Sequence, residues 1–508
     1  MVRSVALGSM VWLACLGCSS SDEAAQVKIV DPPLSLTTEA TLVPDMSPLD
    51  PASDRSPSDP AERNALVKEG FGKWTLGAGE AHHVLSPPGV TPPAAGPSAK
   101  RLLHFVHMPD LQLADDESPT RLCVFDAPGL FSPAFRPHDV DMCRVLNAAV
   151  RSVNELHARD ALDFLLLGGD NADSAQDNEV DWVLSILSGS DSVECDSGEN
   201  DDPKPGPNND GKDPFAAPGL DVPWKWVTGN HDVLVQGNLP VSPAKNMEAV
   251  GNTSAAGTRD WSQPGGPVVK GEIIADPARR LLTRTELMTK VQADGDGHGL
   301  GGDQVSSGKA IYTFDVAGGP LRFLILDTAA ESGGSEGLLR QGDIDNVIKP
   351  ALDQAVTDNK VVILASHHAV TSLGDGTGLG GSVQPDAVQE AAWLGFLAGY
   401  PNVLFSMVGH THQNRVRFLE TSGGQGFWEV MTSALADFPQ QLRLVEIWDQ
   451  DNGYLMLRAT NVDFAVYGDS VAREGRQLAV LDYASGWGEL EGSGMPEDRN
   501  VELWVKKP

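Results

Sequence analysis

Short apolar runs, each closed by a glycine or a polar turn, alternate along the chain with segments whose apolar positions return every three to four residues. Residues 102–107 form the first strong run and read as a buried strand. Val140, Cys143, Leu146, Val150, Val153 and Leu156 then recur at helical spacing. Residues 162–167 predict a second strand, and Trp182, Val183, Ile186 and Leu187 a second helix. Residues 224–227 read as a short strand. Residues 312–316 and 321–326 flank Gly318-Gly319 and predict a β-hairpin. Ile344, Ile348, Leu352 and Val356 predict a helix, 361–365 a strand, 387–397 a helix and 402–408 a buried strand. Residues 415–420, 427–431, 442–448 and 454–460 read as consecutive antiparallel strands, followed from Ser470 by a short helix and a loop. Strand–helix alternation of this kind predicts an α/β sheet with right-handed crossovers.

Five of the predicted strands exit into loops rich in metal-binding residue types. The exits carry Asp110 and Gln112, Asp170, Asn230 with His231 and Asp232, His367 with His368, and finally His410 and His412 in Gly409-His410-Thr411-His412. In α/β sheets, loops at the carboxyl ends of strands converge on one edge, where ligands bind. Carboxylates, amide oxygens and imidazoles suit borderline or hard divalent ions. Two such ions sharing a carboxylate, roughly 4 Å apart, can grip both ends of an in-line displacement. His107 lies inside its strand and reads as structural, as does His368, since adjacent histidines point to different faces. His298 and Asp327 are read as supporting or structural groups.

Charge narrows the partners. The 508 residues carry 37 Lys and Arg against 70 Asp and Glu, a formal net charge of −33. That argues against nucleic acid and anionic membrane surfaces, which need basic patches. It leaves a phosphate substrate open, because bound divalent cations reverse the local field.

The N-terminus reads as an export signal. Met1-Val2-Arg3 is a basic start, and residues 5–16 are apolar but too few to span a bilayer. Leu16-Gly17-Cys18 followed by serines resembles a bacterial lipoprotein processing site with Cys18 acylated, although Cys15 stands where leucine is usual; the alternative is an ordinary cleaved signal peptide. The expected organisation is a leader at 1–18, a Pro/Ser/Asp-rich flexible tether at 19–65, and one domain at 66–508 with insertions at 189–219 and 233–308. The expected location is the bacterial cell envelope, with membrane contact through the lipid only, or the exterior. An oxidising compartment allows one disulfide among Cys123, Cys143 and Cys195, and Cys123–Cys143 is the expected pair. Asp201-Asp202, the stretch 208–211 and the stretch 294–298 imitate calcium loops without completing one.

The strand-exit series resembles the calcineurin-like metallophosphoesterase superfamily. That family's blocks are Asp-x-His, Gly-Asp, Gly-Asn-His-Asp/Glu, a lone His after a strand, and Gly-His-x-His. Here they stand as Asp110-Leu111-Gln112, Gly169-Asp170, Gly229-Asn230-His231-Asp232, Ser366-His367 and Gly409-His410-Thr411-His412, in family order. The resemblance implies a four-layer α-β-β-α sandwich of two mixed sheets flanked by helices. It implies two divalent metal ions, manganese favoured over iron, zinc or magnesium. Asp110, Gln112, Asp170 and His412 would bind the first ion. Asp170, Asn230, His367 and His410 would bind the second. A metal-bridging hydroxide would attack a phosphomonoester or phosphodiester, with His231 as general acid and Asp232 orienting it. Gln112 departs from the family's histidine. The alternatives are a nucleotide-type pyrophosphatase, or a cell-surface metal-binding protein without turnover.

Overall fold

The computed structural model describes residues 33–49, 54–128 and 134–508. All of them fall in the unit of the chain that begins at Pro32. The expected leader, including Cys18, lies outside the described residues.

Two mixed sheets form the centre. The first runs, strand by strand, His83–Leu85, Val501–Lys506, Tyr454–Asp463, Gln441–Asp449, Lys100–Met108, Phe164–Leu167 and Trp224–Lys225. Ser35–Leu36 pairs with the far end of Tyr454–Asp463 as an eighth strand. The second sheet runs Tyr312–Asp315, Leu321–Ile325, Val361–Ala365, Val403–Val408, Gly426–Met431 and Arg415–Glu420. The strands that lead into the motif loops are mutually parallel within each sheet. Their carboxyl ends therefore lie on one edge of each sheet.

Alternation along a strand sets the layers. On Leu321–Ile325, Phe323 and Ile325 join the core that includes the first sheet, whereas Leu324 joins a second core with Ile344, Ile348, Leu352 and Trp393. Phe323 meets Phe105 edge-on at 5.7 Å and Phe164 at 5.4 Å, so aromatic rings join the sheets face to face. Truncating Phe105 or Phe323 to alanine would cost about 3–5 kcal/mol. Val145, Leu146, Val150 and Val153 of the helix Met142–Arg159 pack into the first core, as do Val183, Ile186 and Leu187 of Asp177–Ser188. The result is an α-β-β-α sandwich.

Four expectations are corrected. The described part of the presumed tether is structured: Ser35–Leu36 extends the first sheet, Ala40–Pro44 pairs with Trp74–Ala78, and Pro60–Glu69 is a helix capped by Asp59. Leu34, Leu42 and Leu66 are buried, so a few well-placed leucines anchor an otherwise polar segment. The four strands between 415 and 463 are not one antiparallel series. Arg415–Glu420 and Gly426–Met431 pair with each other, and Gly426–Met431 also runs parallel to Val403–Val408; Gln441–Asp449 crosses to the first sheet, beside Lys100–Met108. The end of the chain is a long helix, Ser470–Ser485, packed on Met142–Arg159, and a strand, Val501–Lys506, between two others. The disulfide joins Cys143 to Cys195, with Cα atoms 6.6 Å apart, and Cys123 is free and buried. It ties the 189–219 insertion to the helix Met142–Arg159, a pairing that sequence proximity does not reveal.

Candidate metal centre

The motif loops meet where the two sheets' carboxyl ends come together. Gly168 N donates to Met108 O at 3.1 Å, Asp110 N to Gly169 O at 2.9 Å, and Gln112 N to Asp170 O at 2.9 Å, so the first-sheet ladder continues past its strands into the site. On the second sheet, Gly409 N donates to His367 O at 2.9 Å. Across the join, His410 N donates to Asp110 Oδ2 at 3.1 Å, and His367 Nδ1 lies 2.8 Å from Gly168 O.

Asp110, Gln112, Asp170, His410 and His412 all hold positive φ, between 41° and 78°. Left-handed backbone is costly for non-glycine residues and concentrates at sites whose surroundings over-determine it. The flanking glycines make room: a Cβ on Gly229 would stand 2.1 Å from Asp170 Oδ1, and one on Gly237, at φ +63°, would stand 2.3 Å from the His231 ring.

Asp110, Asp170 and His367 are buried and present ligand atoms within 4.8 Å of one another. Because Nδ1 of His367 is turned to a backbone carbonyl, its Nε2 lone pair faces Asp170 Oδ2 at 3.0 Å and Asp110 Oδ1 at 3.9 Å. Two acceptors at 3.0 Å need a cation between them. Burial would lower the His367 pKa, but the Asp170 carboxylate overrides it and raises it to about 9. His410 packs 5.2 Å from the His367 ring, and burial beside two other histidines keeps it neutral, the form that binds metal. Asn230 Nδ2 donates to Gly237 O at 2.9 Å, which fixes its amide, and Oδ1 is buried with no hydrogen-bond partner. Such an orphaned acceptor is what a bound cation would satisfy.

His412 completes the other side. Its Nε2 lies 3.4 Å from Asp110 Oδ1, and its Nδ1 is gripped by the carboxylate of Asp437. Burial opposes protonation, but Asp110 and Asp437 together raise its pKa to about 10. Asp437 is held in turn by Arg136, through Nε at 2.7 Å and Nη2 at 3.1 Å.

His368 also lies within ligand distance of His367 and His410, its ring 4.3 Å from that of His410. Its Nδ1 pairs with the Thr328 hydroxyl at 2.9 Å and its Nε2 with Ser335 O at 3.0 Å, so both nitrogens are used. His107 pairs with the Thr432 hydroxyl. His298 stacks on Trp224 and bonds Asp294, and Asp327 is tied to Arg284.

His231 lies beside the centre. Its backbone N donates to Asp170 Oδ1 at 2.8 Å, its side chain is 12% exposed, and its Nε2 has no hydrogen-bond partner among the described residues. Burial lowers its pKa, and the Asp170 and Asp173 carboxylates more than restore it, so the net shift is upward. Asp232 does not orient this ring. Its carboxylate accepts from the backbone N–H of Asn171, Ala172 and Gly229 and from the Asn171 amide, all within 3.1 Å, and so staples one motif loop to the next. Its pKa rises to about 7 through burial and Asp170. The orienting residue is Asp173.

Three residues of this constellation escape a reading of the sequence: Arg136, Asp173 and Asp437. Asp173 follows the Gly169-Asp170 motif by three positions, a local signal. Arg136 and Asp437 lie 301 positions apart and offer none.

No family model matches the chain, and no curated protein matches it. Solved structures do.

The chain is similar to a dimetal phosphatase from Danio rerio. Identity is 13%, over 71% of this chain and 96% of that one, with a TM-score of 0.39. A purple acid phosphatase from yellow lupin (Lupinus luteus) seeds is 11% identical over 76% of this chain and 54% of its own, with a TM-score of 0.32. PhoD is 11% identical over 76% and 70%, with a TM-score of 0.32.

Proposed function

We propose that this protein is a metal-dependent phosphoesterase that hydrolyses a small phosphomonoester or phosphodiester. The observation that carries the reading is the buried cluster of Asp110, Asp170 and His367, whose ligand atoms lie within 4.8 Å of one another, beside the orphaned Asn230 Oδ1. Asp170, Asn230, His367 and His410 would hold one divalent ion, and Asp110, Asp170 and His412 another, with manganese the favoured metal.

Bound there, two divalent ions would polarise the phosphoryl group and lower the pKa of a water. The chain's own residues do the rest. His410, neutral and half-buried, offers a lone pair rather than a proton. Asp437 holds His412 in one tautomer and raises its basicity. His231, with Nδ1 fixed by Asp173 and Nε2 open, holds a proton at Nε2 for the leaving-group oxygen. The Asp232 staple keeps the Asp170 and Asn230 loops in register.

Turnover of aryl phosphate mono- and diesters by manganese-reconstituted protein tests the reading. Activity lost in Asp170→Asn, and reduced about 10²- to 10⁴-fold in His231→Ala, is the expected result. Two bound metals with no hydrolysis of any phosphoester would favour the metal-binding alternative, and product analysis on nucleotide diphosphate compounds separates the pyrophosphatase.

We also propose export, with a lipid on Cys18. The Cys143–Cys195 disulfide supports an oxidising compartment. Incorporation of labelled palmitate by the wild type, but not by Cys18→Ser, tests the anchor.

A further inference from the structure

Gln112 stands where a first-ion ligand is expected, yet its amide is turned the wrong way. Arg136 Nη2 lies 2.6 Å from Gln112 Oε1. A guanidinium offers only donors, so this contact assigns the oxygen to the Arg136 side. The other end, Nε2, then faces Asp170 Oδ2 at 3.5 Å. An amide nitrogen has no lone pair to give a metal. Reversing the amide would set two donors against each other beside Arg136 and break a buried, charge-assisted bond.

The guanidinium cannot move aside to release it. Arg136 is 1% exposed and spends Nε and Nη2 on Asp437, the carboxylate that grips His412. Its backbone N bonds Asp139, which also holds Arg121. One residue therefore touches Gln112 directly and reaches His412 through Asp437, two of the four groups expected around the first ion. It also fixes a positive charge beside them.

We propose that Arg136 is a positioning residue that keeps Gln112 out of metal coordination, so that the two ions are held unequally. The first ion has three protein ligands, Asp110, Asp170 and His412. The second has four, Asp170, Asn230, His367 and His410. The first ion is the weak and exchangeable one, and its occupancy follows the free metal concentration. This rests on the two-metal reading above.

Titration of metal-stripped protein with Mn²⁺, counting the free ion by electron paramagnetic resonance, tests it without reference to activity. The expected result is one tight ion and a second at least about tenfold weaker, the scale on which groups around a ligand shell act. Arg136→Met, which frees Oε1 to turn, tightens the weak site by about tenfold or more. Should that variant not fold, Gln112→Met decides. It changes the weak site by less than about threefold if Gln112 is no ligand, and weakens it about tenfold or more if it is. Two equally tight ions in the wild type, or that tenfold loss in Gln112→Met, overturns the proposal and leaves the two-metal reading standing. Protein that binds no Mn²⁺ overturns both.

Discussion

Nδ1 of His231 lies 2.7 Å from the backbone oxygen of Asp173 and 3.3 Å from its carboxylate, and Arg121 holds that carboxylate at 2.5 Å. The ring is thus locked from behind, with Nε2 open. Asp173→Asn keeps the shape and weakens the lock, and is expected to lower kcat about 10- to 100-fold with KM little changed. Asp232→Asn breaks the loop staple and is expected to lower thermal stability and metal affinity together. Steady-state kinetics on the two variants, paired with melting curves, separates the roles. Equal kinetic effects without a stability difference would contradict the assignment.

Asp173 also makes a pH prediction. Burial alone would raise its pKa, but Arg121 and His231 hold it well below the usual carboxylate range. A depressed folded-state pKa gives stability that is present above the unfolded value of about 3.9 and is lost as pH falls below it. The melting temperature of Asp173→Asn should therefore lie below that of the wild type at pH 7, by an amount equivalent to about 3 kcal/mol. The two curves should converge below about pH 4. A gap that widens in acid would contradict the sign.

Removing the disulfide is a separate test. Cys143 and Cys195 close a loop with a sequence separation of 52. The chain-entropy estimate for such a loop is about 4 kcal/mol. Cys195→Ser is expected to lower the unfolding free energy by about that amount. Cys123 is buried and its thiol is pushed up to about 11, chiefly by burial. It should resist alkylation in the folded protein and react after denaturation, as mass spectrometry would read.

Gly229 tests how closely the motif loops are packed. A Cβ there would meet Asp170 Oδ1 at 2.1 Å and Asp170 N at 2.3 Å, neither free to move. Gly229→Ala should cost about 1–3 kcal/mol and lower metal affinity at least about tenfold, as calorimetry would show. Unchanged affinity would mean that Asp170 is not held where the fold puts it.

The five strand-exit blocks were legible because each stands beside its own strand, so the run of apolar residues and the polar exit lie within a few positions. The parallel core strands and the helices Met142–Arg159 and Asp177–Ser188 were legible for the same reason. What the sequence did not disclose depends on contacts between distant segments. Gln441–Asp449 reads like the next strand of a meander, yet both edges of Gly426–Met431 are already paired, and it pairs instead with Lys100–Met108 across more than three hundred positions. The 33–65 segment looks like tether by composition and is held by buried Leu34 and Leu42, with Leu66 just beyond it. At the site, Asp232 was read as the partner of His231 because it is adjacent. The backbone instead turns its carboxylate to the Asn171 loop and leaves the role to Asp173. Gln112 was read as an oxygen donor by residue type, whereas the sense of its amide is set by Arg136, a residue with no motif around it.

Asp170, Asn230, His367 and His410 are the residues proposed to hold a divalent ion. Anomalous diffraction from crystals soaked in Mn²⁺ measures this directly. The account predicts a strong peak within roughly 2.0–2.3 Å of His367 Nε2, Asn230 Oδ1 and an Asp170 oxygen, with a second, weaker peak between Asp110 and His412. No peak at the first position, with His367 Nε2 still closed on Asp170, would contradict it.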